Sequence, residues 1–273
     1  MHFVQLDLEY KISYSVSSPS ISTGAFVAGL GERFFVDRQS GYVNTDSNTI
    51  TVWSDIGCPW ATLALHTLKS VAHARGDDIL IDHRAFPLEL FNSRPTPKPI
   101  LDAEVVAIAG LRPELSWRLW DQPDGMYPVT TLPALEAVQA AKSKVVGGLR
   151  ASDELDEALR KAFYSEARCI SMHSVILDVA MCCPSVNVGK LEKLLIKGAA
   201  RAEIHRQYQI AQNQPSIQGS PHLFIASGLN QHNPGVRYHW TAEPGKGFPR
   251  FDSYDDGWAN QLIDKLGEAV SEH

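Results

Sequence analysis

The chain has 273 residues, 44% of them hydrophobic and 21% charged, with a formal charge of −6. It is long enough to bury a large core, too acidic to favour a nucleic-acid or anionic-membrane surface, and has no apolar run near the ~18 residues of a spanning helix. Its four cysteines are too few for a disulfide scaffold. The stretch Met1 to Asp7 lacks the basic-then-apolar pattern of a secretory leader, so a cytoplasmic chain with reduced thiols is expected.

The first element is a long alternation. Val4, Leu6, Leu8, Tyr10, Ile12, Tyr14 and Val16 are separated by polar residues, the period of a half-buried strand. A strand of this length needs a partner on each edge. Residues 1–47 therefore read as a β-rich extension that pairs within the chain or joins a homo-oligomer. Asn48 to Trp53 is a short β-branched strand, followed by a turn through Gly57 and Cys58. Pro59 suits the first turn of a helix running to about Arg75, with Trp60, Ala64, Leu68 and Val71 on one face and Gly76 as its stop. Ile79 to Arg84 is a second strand, which completes a βαβ unit.

The Pro-rich run Arg94 to Pro99 marks a boundary. Beyond it the pattern is helical: Pro133 to Lys142, a helix beginning at Asp153 with Ser152 as its cap, another capped by Ser171 and ending before Pro184, then Asn187 to Gly198 and Ala199 to Gln212. Gly219-Ser220-Pro221 then leads into a strand from His222 to Ala226, a turn begins at Ser227-Gly228, and a loop holding His232 to Gly235 precedes a strand from Val236 to Trp240. Asp256 to about Val270 is a closing helix. The expected architecture is α/β. A thioredoxin-sized unit made of residues 48–97 and 213–273 is interrupted by a helical domain over 98–212, and its two halves form one sheet because neither has enough strands alone.

Cys58 carries the chemical signal. It stands where a strand turns into a helix, and the free N–H groups of a helix start favour an anion there, so a depressed thiol pKa and a nucleophilic thiolate are expected. Asp55 reads as a turn residue bonded to nearby backbone. No metal site is expected, for want of a His-Glu-x-x-His or a Cys-x-x-Cys pair, and no dinucleotide or phosphate loop is present. His222, His232 and His239 read as separated by the turn between the strands, and as loop histidines rather than a ligand set, His239 lying in the Val236 to Trp240 strand. Cys169, Cys182 and Cys183 read as packing residues.

The stretch Trp53-Ser54-Asp55-Ile56-Gly57-Cys58-Pro59-Trp60 resembles the active-site turn of the DsbA/FrnE-like thioredoxin-fold oxidoreductases. The resemblance covers residues 48–270 and implies a thioredoxin fold with a helical insertion. It also implies a cis proline facing the cysteine, matched here by Pro221 in Gly219-Ser220-Pro221. By the same resemblance the proline loop offers its backbone to an extended peptide-like chain. Pro59, Trp60, Ser220, Pro221 and His222 read as substrate-bordering residues, Trp60 stacking on the substrate or packing over the helix start, and His222 either near Cys58, where it would tune the thiolate, or on the opposite face. The pattern departs from the dithiol members at Ala61, where they carry a second cysteine. A lone thiolate forms a mixed disulfide but has no neighbouring thiol to expel it. The implied activity is thus a monothiol exchange through Cys58 on a protein or small-molecule thiol or disulfide, with no bound cofactor and with glutathione as the candidate co-substrate. Two alternatives stay open. Kappa-class glutathione transferases and 2-hydroxychromene-2-carboxylate isomerases share this inserted fold and need no cysteine pair, although they typically carry serine where Cys58 stands. The other alternative is a non-catalytic binding protein.

Overall fold

The structure is a computed structural model that describes residues 41–271, with side chains to residue 267. The alternating segment from Val4 to Val16 lies outside the described residues. The first strand, β1 (Thr49–Ser54), is buried at every position. It pairs in parallel with β2 (Leu80–Ala85), and between them runs α1 (Pro59–Arg75). Pro59 opens that helix at its first position, where a missing N–H costs nothing. Gly76 closes it with φ +75°, donating its N–H to His73 O, a left-handed stop that glycine adopts without strain.

Between β2 and the third strand lie α2 (Leu88–Phe91), α3 (Lys98–Leu111), α4 (Leu132–Ala141), α5 (Gly148–Tyr164), α6 (His173–Ala180), α7 (Val188–Ile196) and α8 (Arg201–Asn213), with a long irregular stretch between α3 and α4. It returns to the sheet as β3 (His222–Phe224), antiparallel to β1, and β4 (Asn230–His232), antiparallel to β3. The sheet order is β2-β1-β3-β4. Next come β5 (Val236–Trp240), β6 (Pro249–Tyr254) and α9 (Gly257–Ser271). Among the described residues no helix is long and apolar enough to cross a membrane.

Two apolar layers follow from the strand pleat, and the helices enclose a further core. On one face Ile50, Val52, Ile81 and Leu223 pack under Leu65 and Leu68 of α1 and Trp258 and Leu262 of α9. On the other, Trp53, Phe86 and Phe224 meet Ala211 and Ile217. The helices between β2 and β3 surround a core of their own, with Leu135, Val138, Leu155, Leu159, Ile176 and Leu191 at its centre.

The molecule differs from the sequence reading in five places. Helix α5 begins at Gly148, and Ser152 is inside it, donating its hydroxyl to Val138 O at 2.9 Å. The start is set by Gly147, whose φ is +154° and where an added Cβ would lie 2.2 Å from Ser185 O. Ser171 does not cap α6 either: Met172 holds that position and the Ser171 hydroxyl goes to Thr130 O. Asn187 does cap α7, accepting from Lys190 N. The strand next to β3 is β4, three residues long and placed where a turn and loop were expected. Val236 to Trp240 leaves the sheet altogether and pairs with β6, an unexpected strand, in a separate two-stranded ribbon. The ribbon survives because Val236, Tyr238 and Trp240 are half-buried on one side while Arg237 and His239 face solvent. Finally, His222 and His232 are direct cross-strand partners with ring centroids 5.5 Å apart, and His232 belongs to a strand, not a loop.

Candidate active site

The turn between β1 and α1 is built by Asp55. Its carboxylate accepts the N–H of Gly57 and of Leu88, both at 2.8 Å, and its own N–H goes to the Ser220 hydroxyl at 2.9 Å. One side chain thus joins the turn to α2, and its backbone joins it to the loop before β3. Arg160 of α5 supports the turn from beneath. Its buried guanidinium pairs with Asp156 and donates to Asp55 O at 3.0 Å, Thr62 Oγ1 at 3.1 Å and Ser54 Oγ at 3.0 Å.

Cys58 is the N-cap of α1, with β-region angles and its carbonyl accepting from Thr62 N. The residue is 4% exposed and its S–H donates to the carbonyl of Ser220 at 3.2 Å. The Ser220–Pro221 peptide is cis. The thiol is not the acidic one anticipated from the helix start. Burial pushes it up to about 12; the Ser220 hydroxyl and the backbone at Ala61 favour the anion, while the Glu104 and Asp55 carboxylates oppose it. Desolvation outweighs the helix terminus because the sulfur is shielded from water and faced by negative charge.

Beside the thiol lies a cleft of about 310 Å³. Of the residues singled out in the sequence, Cys58, Pro59, Trp60 and Ser220 line it. Pro221 and His222 are buried behind it. The His222 ring accepts from Gln218 N at Nδ1 and meets Asn230 Oδ1 at Nε2, so both nitrogens are engaged away from the sulfur. Burial keeps its pKa below the usual histidine value. In the proline loop Ser220 O takes the thiol and Pro221 O takes the N–H of Asn233.

Sequence reasoning missed Glu104. It sits on the buried face of α3 with Leu101, Val105 and Ile108, an acid inside an i, i+3, i+4, i+7 apolar stripe, which was the available signal. It is 5% exposed, lines the cleft, and accepts the indole N–H of Trp60 at 2.9 Å. Burial raises its carboxyl to about 7. The ribbon closes the same side: Tyr238 stacks on Trp60 at 4.1 Å and Phe251 meets its edge at 5.7 Å. The remaining cysteines are also free thiols; Cys169 and Cys183 are buried and Cys182 is exposed, contrary to its reading as a packing residue, and none of them lines the cleft.

The profile of the DSBA-like thioredoxin domain matches residues 49–240, well over half the chain. The protein belongs to that family. No curated protein sequence matches it. Solved structures share the DsbA-like architecture at low identity. The cytosolic disulfide reductase DsbM of Pseudomonas aeruginosa is 16% identical with a TM-score of 0.51, over 82% of this chain and 98% of that one. SCO1869 of Streptomyces coelicolor, described as a probable DsbA oxidoreductase, is 15% identical with a TM-score of 0.54, over 82% and 91%. A 2-hydroxychromene-2-carboxylate isomerase is 13% identical with a TM-score of 0.51, over 82% and 97%. At such identities the likeness is one of fold, and the DsbA-like chain's own residues must carry the functional argument.

Proposed function

We propose that this DsbA-like protein catalyses monothiol exchange through Cys58, with a small thiol such as glutathione completing the cycle. The observation that supports it is the Cys58 sulfur at the head of a 310 Å³ cleft, next to Ser220 and with no second cysteine on the cleft wall. In the first step Cys58 sulfur attacks a disulfide RS–SR: the Cys58–S–SR bond forms, the S–S bond breaks, and the thiol proton ends on the departing RSH. In the second, R′SH attacks the adduct, giving RS–SR′ and returning the proton to Cys58. Ala61 leaves no intramolecular route, so the external thiol is obligatory. Free cysteines throughout accord with a reducing, cytoplasmic setting.

The test is reduction of hydroxyethyl disulfide with glutathione as the thiol donor, comparing wild type with Cys58→Ser. Wild type is expected to turn over and the variant to lose activity ~100-fold or more, since serine is a far weaker nucleophile at neutral pH. Equal rates sink the proposal. One observation favours a second reading. A sulfur held as a protonated donor suits a transferase or isomerase like the kappa-class enzymes, in which Cys58 S–H would hydrogen-bond a bound thiol without exchanging with it. Conjugation of a chloronitrobenzene without a Cys58 adduct would decide for that reading. Absence of both activities would leave a binding protein.

A further inference from the structure

Glu104 has no role in the exchange chemistry above, yet it is the most unusual group in the cleft. Ionised carboxylates are rarely buried without a cation. Here the carboxylate is buried, lines the cavity, and is held on one oxygen by the Trp60 indole. Among the described residues no Lys, Arg or His forms an ion pair with it. The charged and titratable groups that sense it are Cys58 and Tyr238, and neither is a cation. Arg237 and His232 also line the cleft; Arg237 is exposed, and His232 is half-buried and engaged in contacts of its own. Beside the carboxylate, Trp60 and Tyr238 form a stacked aromatic wall. A carboxylate beside aromatic rings is the chemistry that receives an alkylammonium group. Such a group would also offset the negative charge that opposes ionisation of Cys58.

We propose that the cleft selects thiol and disulfide substrates bearing an ammonium group, which pairs with Glu104 while the substrate sulfur meets Cys58. This rests on the exchange reading and names its substrate class. The covalent step is unchanged: the thiol proton leaves with RSH and the ammonium keeps its own.

The test measures formation of the Cys58 mixed disulfide in the full chain by mass spectrometry at pH 8. The probes are cystamine (cationic), hydroxyethyl disulfide (neutral) and dithiodipropionate (anionic), each normalised to its rate with a small free thiol. Cystamine is expected to lead the neutral probe by about tenfold and the anionic one by more. In Glu104→Gln the normalised rates should converge. In wild type the preference should fade as pH drops through about 7, where Glu104 takes up its proton; this series decides the matter should the variant fail to fold. Equal normalised rates in wild type, or a preference that survives both the substitution and acidification, overturn the proposal. No adduct with any probe overturns the exchange reading itself, a result distinct from equal rates.

Discussion

A thiol pushed up to about 12 ionises little at physiological pH, and this sets the behaviour of Cys58 toward simple electrophiles. Against an ordinary thiol near 8.5, the thiolate fraction at pH 8 falls by about a thousandfold, and greater basicity restores only part of it. Iodoacetamide should therefore label Cys58 on the order of 100-fold more slowly than a free thiol, with a rate still climbing above pH 9. Saturation near pH 8 would contradict this. Glu104 carries a stability consequence. Its carboxyl is raised by burial to about 7, above its unfolded value of ~4.3, so the folded state binds more protons between them. Its contribution is thus fully present below ~4.3 and is lost as pH rises to about 7, a loss of up to ~3 kcal/mol. Glu104→Gln should escape that loss, and its denaturation midpoint relative to wild type should rise from pH 5 to pH 8. A constant difference would count against it. Cys58, Pro59 and Trp60 were legible because a turn motif displays them, and Ser220 because it precedes Pro221 in Gly219-Ser220-Pro221. The pKa of Cys58 was not, because it depends on Glu104, 46 positions away in sequence, and on burial that no local pattern reports.

Among elements, α5 does the most to hold the site turn. Arg160 spans the buried distance from Asp156 to the carbonyl of Asp55, Thr62 and Ser54. Arg160→Met would strand the buried Asp156 carboxylate and three acceptors, a loss of about 3–5 kcal/mol in unfolding free energy by urea titration. A loss under ~1 kcal/mol would show the network to be dispensable. The helices and strands with strong periodicity or clear punctuation, β1, α1, β2 and α7, were readable from sequence. Strand β4 was not, since Asn230-Gln231-His232 has no strand propensity and forms because β3 offers an edge. Likewise β6 is a strand through its pairing with β5. The start of α5 was misplaced because Ser152-Asp153-Glu154 imitates a cap, while the real break is the left-handed backbone at Gly147 and Gly148.

At the scale of the molecule, the helical stretch and the sheet are joined by polar groups as well as apolar ones. Gln139 donates to His83 O, Gln207 accepts the N–H of Ala85, and Lys142 pairs with Asp82. Burial alone would raise Asp82, but Lys142 and Arg84 outweigh it and hold the carboxyl at about 2. Separating the two parts would leave these groups without partners, so independent unfolding is costly. Calorimetry is expected to show one thermal transition with matching calorimetric and van't Hoff enthalpies; two resolved peaks would refute it. The contact between Cys58 and Ser220 has one more consequence. Whatever becomes attached to that sulfur, the S–H is gone and the carbonyl forfeits its donor. The penalty is small, about 1 kcal/mol or less, but it is levied on every occupant alike. Covalent attachment therefore always starts from a slight disadvantage.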